Sequence, residues 1–461
     1  MKKSICVFVC LCTFLLQANA QQALPDCSSF KSDTTIQALK WFPDAKFGIF
    51  IHMTLQNVEM FEEEIHTYKN SLETAKRVSN KLDLSKYDAR GQAKLFKTWG
   101  ANYVVLTTKH HVGFALYDGP ADFNVMNSSN VKRDIVKEYV EAIRAEGMKV
   151  GLYFSLPDWL HPDYASLADE KTPPEKRKAS RAYALENDTM KWNRFVEQMF
   201  KEVEFLCTNY GKIDLLWFDG DWERSAEQWK SKELACMIHR LQPECVVNNR
   251  LRHIDLGHYS TPENVVPLAD RGGWWEFCMT PGDNWDGQDA DNNLKPPAEL
   301  IRITADVIGM NGNMLMNVAP IDKGAISPKQ IKTMNEVGNW VTEHSEAIYG
   351  TKGGFPAGLF NGSVTRKGNV LYLFVHDAPK NEIVLKVTQN NIKRITQLKN
   401  GKELKWRYSG GFKGWGDKGW LYIRIPANCI EKYTTVIKVE FADEEVVFKT
   451  PPCPLKGELA Q

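Results

Sequence analysis

Between about Trp41 and Gly350, short and nearly continuous apolar runs alternate with amphipathic stretches. This alternation constrains the fold more than any other feature of the chain. A run that is apolar at every position reads as a strand covered on both faces, and such strands belong to parallel sheets. The runs are Lys46-Phe-Gly-Ile-Phe-Ile-His52, Tyr103-Val-Val-Leu-Thr-Thr-Lys109, Val150-Gly-Leu-Tyr-Phe-Ser155, Ile213-Asp-Leu-Leu-Trp-Phe-Asp219, Cys245-Val-Val-Asn248 and Asn313-Met-Leu-Met-Asn317. Between them, Ile135, Val136, Tyr139, Val140 and Ile143 mark one helical face, which Gly147 closes. Phe195, Val196, Met199, Phe200, Val203 and Leu206 mark another. No glycine-rich phosphate loop follows the first run, so the pattern predicts an α/β fold of the (β/α), TIM-like barrel type rather than an open sheet.

After about Gly350 the helical period disappears. Val370–Val375, Ile383–Val387, Trp420–Ile425 and Thr435–Glu440 read as short strands, with turn residues at Asn400-Gly401 and Gly410-Gly411. This predicts a small antiparallel β-sandwich packed on the barrel through one apolar face. A length of 461 residues suits two such domains, expected at 21–350 and 351–461. The polar stretch Asp169–Arg181 reads as a surface loop.

The first twenty residues have another character. Lys2-Lys3 precedes the apolar Ile5–Leu16, and Ala18-Asn19-Ala20 supplies small residues for cleavage, the pattern of a signal peptide. Export to the periplasm or the exterior is expected, with no membrane insertion, because no later run is long enough to span a bilayer. The net charge of +1 offers no footprint for nucleic acid. Cys27, Cys207, Cys236, Cys245, Cys278, Cys429 and Cys453 follow the leader, an odd and widely spaced set. They predict buried thiols with one bridge at most. No CxxC pair or HExxH motif appears, so neither a metal nor any other cofactor is expected.

Polar residues gather at the C-terminal ends of the runs: His52, His110-His111, Asp219 and Asn249-Arg250. In a (β/α) barrel these ends form the active-site face. Asp219 ends an apolar run and precedes Gly220, which suits an exposed carboxylate; capping of a following helix is the competing reading. Trp217 shares its side of the strand. A retaining glycosidase needs a second carboxyl nearby. Glu276, in Trp274-Trp-Glu-Phe-Cys-Met279, has apolar neighbours that would raise its pKa towards that of a general acid, and it is preferred on this ground to Glu263 in a polar turn. His110 and His111, if both lay in a strand, would point to opposite faces and not share a metal ion, so sugar hydroxyls are their expected partners. Arg250 would keep Asp219 ionised, or else form a structural ion pair at the rim.

These segments are specific enough to identify a resemblance. Trp41-Phe-Pro-Asp-Ala-Lys-Phe-Gly-Ile-Phe-Ile-His52, Ala101-Asn-Tyr-Val-Val-Leu-Thr-Thr-Lys-His-His111 with Gly113-Phe114, Trp217-Phe-Asp-Gly220 and Asn311-Gly-Asn-Met-Leu-Met-Asn-Val318 resemble, in order, the α-L-fucosidases of glycoside hydrolase family 29. The resemblance covers nearly all of the mature length. It implies a catalytic barrel with a C-terminal β-sandwich, and a retaining mechanism without metal. It implies Asp219 as nucleophile, and His52, His110, His111, Tyr153, Trp217 and Arg250 as sugar-binding residues. The family's Trp-Glu motif fits Trp275-Glu276. Departures occur at Met53-Thr54, where Trp-Gly is common, at Glu62-Glu-Glu-Ile-His66, which lacks the usual Trp, and at His110-His-Val-Gly113, where Asp is common before Gly.

The implied activity is exo-cleavage of terminal α-L-fucose from oligosaccharides or glycoconjugates. The departures leave open the same chemistry on a relative such as an α-L-galactoside. A degenerate carbohydrate-binding protein is the reading from another class.

Overall fold

The computed structural model describes residues 33–55, 72–164 and 189–444, apart from 253, 357, 387–389, 412, 413 and 415. The segment 1–20, Cys27, Cys453, Glu62–His66 and the stretch Asp169–Arg181 read as a loop lie outside the described residues.

Eight strands build the barrel: β1 (Phe47–Ile51), β2 (Tyr103–Lys109), β3 (Lys149–Ser155), β4 (Leu215–Asp219), β5 (Val246–Val247), β6 (Tyr259–Ser260), β7 (Trp274–Met279) and β8 (Asn313–Val318). Their order in the sheet is β5-β4-β3-β2-β1-β8-β7-β6, and every pairing is parallel. A parallel bridge between Asn248 and Tyr259 joins the two ends of that order, with Asn249 N–H donating to the Tyr259 carbonyl at 2.9 Å. The barrel is therefore close to closed.

Strand alternation divides the apolar residues between two cores. Phe50, Tyr103, Val105, Tyr153, Leu215, Trp217, Cys278 and Leu315 point into the lumen. Ile49, Ile51, Val104, Leu106, Leu152, Phe154, Leu216 and Phe218 point outward beneath the helices. The expected helix at Ile135–Ala145 starts where Asp134 accepts a hydrogen bond from Lys137 N–H (2.9 Å), and Gly147 follows it at φ 69°. Both features satisfy helix ends.

Two barrel strands escape the apolar-run pattern for physical reasons. β6 has only two residues. β7 carries Glu276 at a lumen-facing position, so its run is interrupted by a carboxylate that elsewhere would mark a loop.

The expected sandwich consists of a four-stranded sheet, β12-β15-β10-β9, and a three-stranded sheet, β11-β14-β13. Its strands are β9 (Ser363–Lys367), β10 (Val370–Val375), β11 (Glu382–Leu385), β12 (Ile392–Gln397), β13 (Trp406–Gly410), β14 (Gly419–Arg424) and β15 (Thr435–Phe441). All pairings are antiparallel. β9, β12 and β13 are too polar to stand out as apolar runs. Leu371, Leu373 and Val375 of β10 face the second sheet, whereas Tyr372 and Phe374 face the other way and join the barrel core with Val436. Burial of a side chain such as Phe374 contributes about 1.5–3 kcal/mol. Trp340 Nε1 donates to the Thr434 carbonyl across this junction at 2.8 Å. The last barrel helix ends at Ile348 and β9 begins at Ser363. Cys207, Cys245, Cys278 and Cys429 are buried free thiols, and Cys236 is in a disulfide.

Candidate active site

The lumen rises in layers towards the C-terminal ends of the strands. Trp217 stacks on Tyr153, with ring centres 5.5 Å apart and an interplanar angle of 21°, and Phe50 packs 5.1 Å from Trp217. These rings form a platform. Above it stands Asp219, the last residue of β4, only slightly exposed. Tyr153 donates its hydroxyl hydrogen to Asp219 Oδ2 at 2.9 Å, and Arg250 Nη1 donates to Oδ1 at 2.6 Å. The Arg250 guanidinium also lies 4.5 Å over the Trp217 ring.

Burial opposes ionisation of Asp219. His111, Arg250, His110 and the Arg250 hydrogen bond outweigh it, and the carboxyl is held below its ordinary range. The reading of Asp219 as a helix cap is not met: Gly220 is in the left-handed region at φ 76° and caps the short turn that follows with no side-chain bond.

His52 directly follows β1 and holds Asn317 Oδ1 through Nδ1 at 2.7 Å. Burial, then the neighbouring His110, drives its pKa down to about 3, so the ring is neutral. His110 lies parallel to Tyr153 at 5.5 Å, and burial lowers its pKa to about 4. His111 Nδ1 is 2.6 Å from Ser155 Oγ, and its Nε2 is 3.6 Å from Asp219 Oδ2. β2 ends at Lys109, so both histidines lie beyond the strand and the alternation argument against their convergence does not apply. One ligand atom each of His110, His111 and Asp219 falls within 4.8 Å of the others.

The two candidate acid/base residues separate sharply. Glu263 lies just past β6, bridged to Cys278, and accepts from Arg250 Nη2 at 2.7 Å. One guanidinium thus holds Asp219 and Glu263 by its two prongs, in a geometry that suits carboxylate pairs. Glu263 is partly exposed and lines a hollow of about 640 Å³ with Asp221, Arg250, Thr261 and Leu268.

Glu276 is not part of this group, contrary to the expectation from its neighbours. It sits two residues below Cys278 on β7, level with Asn313 at the start of β8, and has no exposed surface. Tyr103 donates to it at 2.6 Å and Trp217 Nε1 at 2.9 Å. Its pKa is indeed pushed up to about 7 by burial. The cause, however, is the lumen rather than Trp275 and Phe277, which point outward into the other core. The raised pKa that suits a general acid is present, but on a carboxyl that is fully buried and held from above by Trp217 Nε1.

Ser155, Asn317, Trp285 and Asp286 also belong to the pocket and were not singled out by sequence reasoning. Asn317 ends a run already read as a strand, so its position was a usable signal. Trp285, with its ring 4.9 Å from that of His52, comes from a loop with no periodicity.

The chain is similar to known alpha-L-fucosidases. The profile of the Alpha-L-fucosidase family matches residues 13–346. Tissue alpha-L-fucosidase of Homo sapiens is 29% identical over 84% of this chain and 84% of its own. Alpha-L-fucosidase isoenzyme 1 from Paenibacillus thiaminolyticus superposes with a TM-score of 0.78 and 32% identity, covering 89% of this chain and 100% of its own. A Bacteroides thetaiotaomicron alpha-L-fucosidase of family 29, trapped as a covalent intermediate with 2-fluoro-fucosyl fluoride, gives 0.76 and 25%, covering 90% and 97%. The chain is a glycoside hydrolase and belongs to the α-L-fucosidase family.

Proposed function

We propose that this enzyme removes terminal α-L-fucose from fucosylated glycans with retention of configuration, using Asp219 as nucleophile and Glu263, in place of Glu276, as acid/base. The observation that carries the reading is the Arg250 fork, with Asp219 on one prong and Glu263 on the other. Asp219, kept ionised, attacks C1 from the lumen. Glu263 protonates the glycosidic oxygen from the open side, where the adjoining hollow receives the leaving group. Water then enters by the same route, and Glu263 takes its proton as the covalent intermediate is hydrolysed. The neutral imidazoles of His52 and His110, with His111, offer hydrogen bonds to sugar hydroxyls. Trp217 and Tyr153 supply an apolar floor.

The retained pair of carboxylates weighs against a carbohydrate-binding protein without turnover. We further propose that the segment 1–20 directs export and is removed; among the described residues no helix is long and apolar enough to cross a membrane.

The test is the pair of variants Asp219→Ala and Glu263→Ala on nitrophenyl α-L-fucoside with azide present. Asp219→Ala is expected to lose several orders of magnitude in turnover while staying folded. Glu263→Ala is expected to be rescued by azide and to yield the α-fucosyl azide. A folded Asp219→Ala variant with full activity, or release of β-L-fucose as the first product seen by proton NMR, would end this mechanism.

A further inference from the structure

Beyond the carboxylates assigned to chemistry, the sugar pocket carries another. Thr54 stands two residues past His52, beyond the end of β1, while Met53 between them is buried in the outer core. This is the point where Met53-Thr54 replaces the Trp-Gly pair common in the family. Thr54 Oγ1 donates to Asp286 Oδ2 at 2.5 Å. Asp286 is anchored by its neighbour Trp285, whose carbonyl accepts from Asn317 Nδ2 at 2.7 Å and whose ring leans on His52. His110 lies near enough to feel the Asp286 charge. The side chains of His52, His110 and Trp285 and the Thr54–Asp286 pair therefore make one wall, facing the pocket from the side of β1 and β8.

The sugar's orientation follows from the chemistry. With C1 at Asp219 and the ring over the Trp217–Tyr153 floor, C3, C4 and C5 form the far side of the sugar, and the hydroxyls of its C3–C4 edge are the polar groups that a wall on that side can meet. A carboxylate offers about four acceptor positions, enough for several partners at once, and the Thr54 hydroxyl bond orients this one. We propose that Asp286, oriented by Thr54, accepts hydrogen bonds from the hydroxyls on the C3–C4 edge of the sugar and is a specificity-determining residue of this enzyme. This rests on the fucosidase reading above. Charged acceptors bind hydroxyls about twice as strongly as neutral ones, so the pair adds selectivity that the neutral histidines alone would not.

The experiment compares nitrophenyl α-L-fucoside with its 3-deoxy and 4-deoxy analogues on the wild-type enzyme, Asp286→Ala, Asp286→Asn and Thr54→Val. Losing a hydrogen bond to a charged group lowers kcat/KM by roughly ten- to a hundred-fold. The wild type is expected to lose that factor on at least one deoxy analogue. Asp286→Ala is expected to lose it on the parent fucoside but not again on that analogue. Thr54→Val should show a smaller loss with the same pattern, and Asp286→Asn an intermediate one. The inference is overturned if Asp286→Ala matches the wild type on the parent, or if it loses equally on the parent and on both analogues, the mark of a merely structural role. A wild-type enzyme inert towards the parent fucoside would instead overturn the substrate reading, and this inference with it.

Discussion

Replacing Glu276 with Gln separates burial from catalysis. The native carboxyl is sealed in the lumen, accepts from Tyr103 and Trp217, and has its pKa raised from the ordinary 4.5 to about 7. A carboxyl with a raised folded pKa binds its proton more tightly in the folded state. Its stabilising contribution is complete below the unfolded pKa and is lost as pH rises through the folded one. The shift corresponds to about 3 kcal/mol of stability lost between roughly pH 4.5 and pH 7. Glutamine has no such dependence. It does turn an NH₂ group towards one of two donors, a mismatch of about 1–3 kcal/mol at every pH. The variant is therefore expected to be less stable than the wild type near pH 5, and to close the gap or overtake it by pH 8. Denaturant unfolding of both proteins at a series of pH values measures this. A stability difference flat from pH 5 to 8 would refute a buried, proton-holding Glu276. In activity, Glu276 acts through Trp217, whose ring lies beneath Arg250. Any loss should then be of similar size for good and poor leaving groups and resist azide. A loss concentrated on poor leaving groups, rescued by azide, would return the acid/base role to Glu276 and remove it from Glu263.

Arg250→Lys gives up the fork and weakens the field that holds Asp219 low, so the acidic limb of the kcat/KM–pH profile should move to higher pH; an unmoved limb would contradict the electrostatic role. The convergence of His110, His111 and Asp219 gives an added divalent ion a place to bind, but the two-carboxylate mechanism has no step for one. Prolonged chelation should leave turnover unchanged, and a loss restored by a divalent ion would contradict this. Trp340→Phe leaves the Thr434 carbonyl without its indole donor and should lower stability by about 1–3 kcal/mol with kcat/KM intact, as unfolding and steady-state kinetics can check.

The parts of the molecule legible in the sequence were those in which one residue type carries one signal. β1 to β4 and β8 are nearly continuous apolar runs, and Asp219 and Arg250 sit where such runs end. β7 was hidden because its inward positions hold Trp274, Glu276 and Cys278, a pattern that makes sense only around a closed lumen. The same hidden strand explains the preference for Glu276. Its flanking aromatics suggested the right pKa, but pKa depends on depth and not on neighbours along the chain. Glu263 looked unpromising in its polar turn because the cation it pairs with, Arg250, stands thirteen positions earlier on another strand end. Thr54 and Asp286 are 232 positions apart, and no local pattern connects them.

β10 belongs to two interiors at once: Leu371, Leu373 and Val375 fill the sandwich, while Tyr372 and Phe374 are sunk into the barrel's outer layer. A strand shared in this way ties the melting of one body to the other. Heating should produce a single calorimetric transition, and cutting the chain ahead of β9 should not release a stable catalytic fragment. The cut barrel would bare the apolar seat of Tyr372, Phe374 and Val436 to water, a sticky scar that favours aggregation over folding. The C-terminal region thus acts as a lasting part of the barrel's folding unit rather than as a detachable module.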